Sequence, residues 1–158
     1  MKTSLPRRLV AEFTGTAFLL MAIVGSGIMA ERLSGGNAAI TLLGNSLSVG
    51  AALICLITAF GGVSTHFNPA VTLADSILGN FKWKEVPAYF AAQVAGAFVG
   101  VGLANLMFEL PAFHASEKAR SGGPQLLAEF IATAGLIIVI YGTLRANSRA
   151  VPFAVAAF

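Results

Sequence analysis

His66-Phe67-Asn68-Pro69-Ala70-Val71-Thr72, followed by an apolar stretch to Leu78, has the form of a helix start. Asn68 is a favoured N-cap, and Pro69 suits the first helical position because its missing N–H has no partner to lose there. Pro69–Leu78 is 10 residues, about 15 Å of helix, or half the thickness of a bilayer's hydrocarbon core. Such a segment is too apolar to lie in water and too short to cross a membrane. A re-entrant half-helix resolves the conflict: Gly61–Phe67 enters the bilayer as irregular backbone, and the half-helix returns from the midplane to the side of entry. Irregular backbone at that depth survives only where protein or a water-filled cavity satisfies it, so a polar passage is implied. The helix start would place about half an elementary positive charge at its centre, repelling cations and protons and orienting neutral hydrogen-bonding molecules. The alternative, a surface turn at Asn68-Pro69, leaves the apolar stretch after it unexplained.

The flanking sequence supports a membrane setting. The chain is 56% hydrophobic and 11% charged, against roughly 25% charged in soluble domains, so it lacks the polar material to cover a water-facing globule. Its apolar residues form four blocks, Leu9–Met29, Ala38–Phe60, Val86–Phe108 and Leu126–Leu144, of 21, 23, 23 and 19 residues. Each is long enough to span. Glu12 and Glu129 are the only carboxylates within them. Seven basic residues lie on one side of the expected topology (Lys2, Arg7, Arg8, Lys82, Lys84, Arg145, Arg149) and three on the other (Arg32, Lys118, Arg120). The positive-inside bias then predicts a multi-pass protein of a cell or inner membrane with a cytoplasmic N-terminus. The same bias accounts for the pI of 9.4, so no nucleic-acid partner is needed; membrane lipid is the expected surrounding. A secretory signal is the alternative for the N-terminus, but the first apolar run exceeds the usual length of about 7–15 residues and recurs as an internal span. Cys55 is the single cysteine and sits mid-span, where the expected role is a small buried hydrophobe.

That recurrence is an internal repeat. At an offset of 117, Leu9-Val10-Ala11-Glu12-Phe13 aligns with Leu126-Leu127-Ala128-Glu129-Phe130, and Thr16, Ala17, Leu19, Ile23 and Gly25 meet Thr133, Ala134, Leu136, Ile140 and Gly142. A carboxylate in hydrocarbon is costly, so the same Glu at the same phase is informative. Three spans separate the copies, which makes the repeat inverted; inverted repeats place the transport site near the midplane between the halves. The first repeat is set at 1–118, with three spans and the re-entrant loop 61–78, and the second at 119–158, with the fourth span and the beginning of a fifth. A counterpart of residue 68 would fall at 185, past Phe158. The sequence is therefore expected to be a piece of a longer protein or the product of a degenerate gene.

With these residues the chain resembles the aquaporin and aquaglyceroporin family, the major intrinsic proteins. The resemblance rests on Ala11-Glu12-Phe13 with Gly15-Thr16, His66-Phe67-Asn68-Pro69-Ala70-Val71-Thr72, Ala92-Gln93 with Gly96, and Ala128-Glu129-Phe130. It implies an all-α membrane protein, an inverted-repeat helical bundle with a re-entrant half-helix, here truncated. It also implies a passive channel for water or small uncharged solutes that excludes ions and protons, assembled as a homotetramer, with selectivity set by pore diameter, lining donors and half-helix dipoles. By resemblance, Asn68 is a pore-centre donor, Pro69 and Ala70 hold the half-helix start, His66 lines the cytoplasmic vestibule, and Glu12, Glu129 and Gln93 are buried braces. From the residues alone, Glu12 and Glu129 fit buried braces and helix-end carboxylates equally well. The family's narrow filter maps near Gly50 or Ala51, give or take a residue or two. Small side chains there would favour glycerol or undissociated metalloid acids.

Two features depart from the family. Only Thr65 separates Ser64 from His66 where two small residues are usual, which predicts a loop one residue short. Asp75 is unusual in the half-helix, and the sequence offers no reason for it. Gly96-xxx-Gly100 and Ser46-xxx-Gly50 predict closely crossing helices. No nucleophile–base pair, metal-ligand spacing or phosphate loop is present, so no enzyme, metal or cofactor is expected; His114, near Glu109 and Glu117, reads as a solvated loop residue. An ion-coupled transporter would want an ionisable residue mid-span, and none of the four spans has one. The competing reading is a truncated, non-transporting polypeptide that acts only as an assembly partner.

Overall fold

The computed structural model describes residues 3–114 and 121–158; Lys2, Glu117, Lys118 and Arg120 of the reading above lie outside them. The described chain forms α1 (Leu5–Leu33), α2 (Ala38–Phe60), α3 (Pro69–Ile77), α4 (Val86–Met107), α5 (Gly123–Asn147) and α6 (Val151–Ala157), with single 3-10 turns at Trp83–Glu85 and Ser148–Ala150. Helices α1, α2, α4 with its preceding turn, and the stretch beginning at α5 are long and apolar enough to cross a membrane. The starts carry local signals. Asn37 caps α2 by accepting from the Ala39 and Ile40 N–H groups, and prolines occupy the first turns of α1, α3, α4, α5 and α6. Helices α1 and α5 outrun their apolar blocks and take Arg7, Arg8 and Arg145 into their end turns.

The tightest packing is between α1 and α4. Buried Ala11, Glu12, Gly15, Thr16 and Ala17 of α1 face buried Tyr89, Gln93, Gly96, Gly100 and Ala104 of α4. A Cβ on Gly96 would collide with the Phe13 carbonyl and one on Gly100 with the Ala17 carbonyl, so glycine lets the two backbones meet. The second expected pair behaves differently. Ser46 is exposed, and α2 approaches α1 through the two residues just before it, Gly44 beside Ala30 and Asn45, whose amide donates to Ile23 O (2.8 Å) and Ser26 Oγ (2.9 Å). Leu42, Leu47, Phe98, Leu103 and Ile138 are exposed, as lipid-facing side chains would be, and so is Cys55, which was expected to be buried.

Helix α3 is re-entrant by its contacts. At its start, Phe67 packs on Gly15, ten residues and about 15 Å along α1. Beyond its end, Glu85 pairs with Arg8 in the first turn of α1, at 2.7 Å. The chain thus dips to the middle of α1 and comes back to the level of its N-terminus.

Candidate functional site

The irregular segment before α3 is organised by one carboxylate. Glu12 is fully buried. Its Oε1 accepts from the Ser64 hydroxyl (2.7 Å) and the His66 N–H (2.8 Å); its Oε2 accepts from the Phe67 N–H (2.7 Å) and the Gln93 amide (2.8 Å). A carboxylate has about four acceptor positions, and all are filled. Two serve backbone N–H groups that the membrane interior could not satisfy. Because the single Ser64 hydrogen goes to Glu12, the Tyr89 hydroxyl donates to Ser64 Oγ (2.9 Å) and in turn accepts from Arg8 (3.3 Å). A directional hydrogen-bond chain therefore runs Arg8, Tyr89, Ser64, Glu12. Although only Thr65 separates Ser64 from His66, both still reach the same carboxylate.

Phe67 makes the turn into α3 with φ of 49°, a left-handed conformation that costs an L-residue roughly 1–2 kcal/mol. Two anchors hold it: its N–H on Glu12 and its ring on Gly15. Asn68 then caps α3, its Oδ1 accepting from the Ala70 N–H at 2.8 Å. The Asn68 NH2 keeps no partner among the described residues. Thr72 ties the turn together. Its N–H returns to Asn68 O (3.1 Å), and its Oγ1 accepts from Gln93 (2.9 Å) and faces His66 Nδ1 (3.0 Å).

Asn68 and His66 open onto a cavity of about 480 Å³. Its polar lining is Thr65, His66, Asn68, Asp75 and Tyr141; the rest is apolar, including Phe67 and Val71 beside them, Leu19 of α1, Leu53 of α2 and Leu136 of α5. Among the described residues no cluster of three metal-ligating side chains occurs.

Set against the sequence expectations, Glu12, Gln93, His66 and Asn68 come together in one network, with Pro69 and Ala70 forming the first turn of α3 behind Asn68. On α2 the cavity is lined by Val49, one residue from Gly50 and within the margin given for the filter position, and by Leu53; a Cβ on Gly50 would lie 2.9 Å from the Ala156 carbonyl oxygen of α6, and Ala51 is exposed. Glu129, the repeat counterpart of Glu12, is exposed and braces no loop among the described residues. His114 is exposed as expected. Tyr141 was not singled out from the sequence; it donates to Asp75 Oδ1, and the charge of Asp75 in an apolar half-helix was the one signal of a polar partner.

The sequence profile of the major intrinsic proteins matches residues 1–158. The chain is 45% identical over 152 residues to aquaglyceroporin AqpS of Rhizobium meliloti (strain 1021), covering 96% of this chain and 65% of that protein. It is 39% identical over 144 residues to aquaporin NIP1-1 of Oryza sativa subsp. japonica, covering 89% and 50%, and 34% identical over 149 residues to the probable aquaporin NIP4-2 of Arabidopsis thaliana, covering 92% and 51%. The chain thus spans between half and two thirds of the length of these relatives. With a match along its whole length and helices of membrane-crossing length, the chain belongs to the major intrinsic protein family and is an integral, multi-pass membrane protein.

Proposed function

We propose that this chain forms part of a passive channel for water and small uncharged solutes that turns back ions and protons. One observation carries the reading: α3 begins at Asn68 beside a mostly apolar cavity, and the Asn68 amide NH2 and the electropositive helix end are donors there. The apolar lining offers a cation nothing to replace its hydration shell, whereas a neutral molecule gains a donor at Asn68 and loses little along that lining. The name of the Rhizobium relative, an aquaglyceroporin, agrees with passage of small neutral solutes. The excess of basic residues on the side of Arg7, Arg8, Lys82 and Lys84 supports a cytoplasmic N-terminus, and the family resemblance supports a homotetramer.

The test is stopped-flow light scattering on proteoliposomes. Osmotic shrinkage should be faster than in empty liposomes, with no added potassium or proton leak. Asn68→Asp, which sets a negative charge at the helix start, should admit cations. Shrinkage no faster than in empty liposomes would overturn the reading.

A further inference from the structure

Asp75 carries a charge that works against its own helix. It lies in the last turn of the nine-residue α3, where the helix dipole already places partial negative charge. The two fields that oppose each other around a lone carboxylate reinforce each other around a cation. His66 supplies a second ligand-type atom. Its Nε2 lies 3.3 Å from Asp75 Oδ2, longer than the usual hydrogen-bond range of about 2.7–3.2 Å. Two ligands each about 2.0–2.1 Å from a tetrahedral zinc ion stand about 3.3–3.4 Å apart, so the pair has the spacing of one edge of such a site.

Both groups are held from behind, as metal ligands are. The other oxygen of Asp75, Oδ1, accepts from the Tyr141 hydroxyl of α5. The other nitrogen of His66, Nδ1, faces Thr72 Oγ1 at 3.0 Å, and the imidazole ring packs against Phe81 and Tyr89, with centroids 5.3 and 5.4 Å away. When the Thr72 hydroxyl donates to Asn68 O (3.2 Å), Nδ1 carries the imidazole hydrogen and donates to Oγ1, which leaves a lone pair on Nε2. Two electron-rich atoms then stand side by side, an arrangement that a cation between them relieves. Each side chain keeps 19% of its surface open, and both line the cavity that Asn68 lines, so water has access to the remaining coordination positions.

We propose that His66 and Asp75 form a binding site for a divalent transition-metal ion, zinc in the first instance, and that an ion bound there obstructs the passage. An imidazole beside a carboxylate selects zinc, copper or nickel over magnesium and calcium, which prefer all-oxygen shells. Two protein ligands with water in the other positions make a weak, reversible site; among the described residues no third metal-ligating side chain joins them. Binding displaces any hydrogen on Nε2 to water. The ion advances no further, because the electropositive start of α3 lies seven residues, about 10 Å, beyond Asp75. The site stands on its own, whereas the obstruction rests on the channel reading above.

The experiment measures zinc binding by calorimetry on the untagged protein in detergent, and water flux by stopped-flow light scattering on proteoliposomes with zinc on both faces. Wild type should bind zinc and lose flux at micromolar concentrations, EDTA should restore the flux, and magnesium should do neither. Asp75→Asn and His66→Gln should each abolish zinc binding. Tyr141→Phe, which keeps both ligands but frees Oδ1, should weaken binding about 10- to 100-fold. His114→Gln, at an exposed position after α4, should bind as wild type does. No binding by wild type at millimolar zinc, binding that either ligand variant leaves at wild-type strength, or binding lost in His114→Gln overturns the site. Should neither ligand variant fold, Tyr141→Phe binding as tightly as wild type overturns it. Zinc bound with flux unchanged overturns the obstruction. Wild-type flux equal to that of empty liposomes removes the channel reading and the obstruction with it, while calorimetry still decides the site.

Discussion

The Phe67 ring occupies the space that a side chain on Gly15 would need. This contact joins α1 to the residue whose left-handed backbone turns the chain into α3, so the direction of the half-helix depends on the absence of a methyl group on another helix.

Gly15→Ala should therefore destabilise the protein by about 1–3 kcal/mol, the usual cost of overpacking, because Phe67 is held by its N–H on Glu12 and cannot withdraw freely. Gly142→Ala is the control: nothing lies within 4 Å of a Cβ built there, and alanine is the better helix former by roughly 0.5–1 kcal/mol. Thermal unfolding of the purified protein in detergent, followed by the fluorescence of the single tryptophan, Trp83, should show a lower midpoint for the first variant and an unchanged or higher one for the second.

Gly96→Ala and Gly100→Ala should each force α1 and α4 apart, since the atoms in the way are the Phe13 and Ala17 carbonyls, which belong to rigid helical backbone. The double variant should lose less than the sum of the singles, because one separation of the helices relieves both clashes. Strict additivity in the same unfolding assay would show that each clash is relieved locally.

The spans were legible in the sequence because each is one uninterrupted apolar run, and the start of α3 because Asn68-Pro69 carries its own cap. The Glu12 network was legible only through resemblance; nothing local to Leu9–Phe13 says that Ser64, His66, Phe67 and Gln93 converge on it. Lining residues were harder still. Whether Val49 or Gly50 faces the cavity depends on a rotation of about 100° per residue, finer than a hydrophobic block defines. Asp75 had no explanation in the sequence because one of its partners, Tyr141, is 66 residues away on another helix.

Asn45→Ala should be mild. The Asn45 amide ties α2 to Ile23 O and Ser26 Oγ of α1, yet hydrogen bonds between membrane helices average only about 0.6 kcal/mol. Ser26 also keeps its own bond to Ala22 O, so no side-chain donor on α1 is stranded. A loss as large as that of Gly96→Ala would mean that this pair counts as much as α1–α4 packing in the stability of the bundle.

Glu12→Gln and Glu129→Gln separate the two repeat-related carboxylates most sharply. In the first, one acceptor oxygen becomes an NH2 group facing two donors, either Ser64 and the His66 N–H or the Phe67 N–H and Gln93. Two buried donors lose their acceptor at about 1–3 kcal/mol each, and a backbone N–H of the irregular segment is among them whichever way the amide turns. The expected result is a large fall in the unfolding midpoint together with loss of water flux, because the same bonds aim Asn68 at the cavity. The exposed Glu129 should tolerate glutamine with a change within about 0.5 kcal/mol. Equal losses in the two variants would mean that Glu129 is as firmly held as Glu12; equal tolerance would mean that Glu12 does not organise the segment before α3.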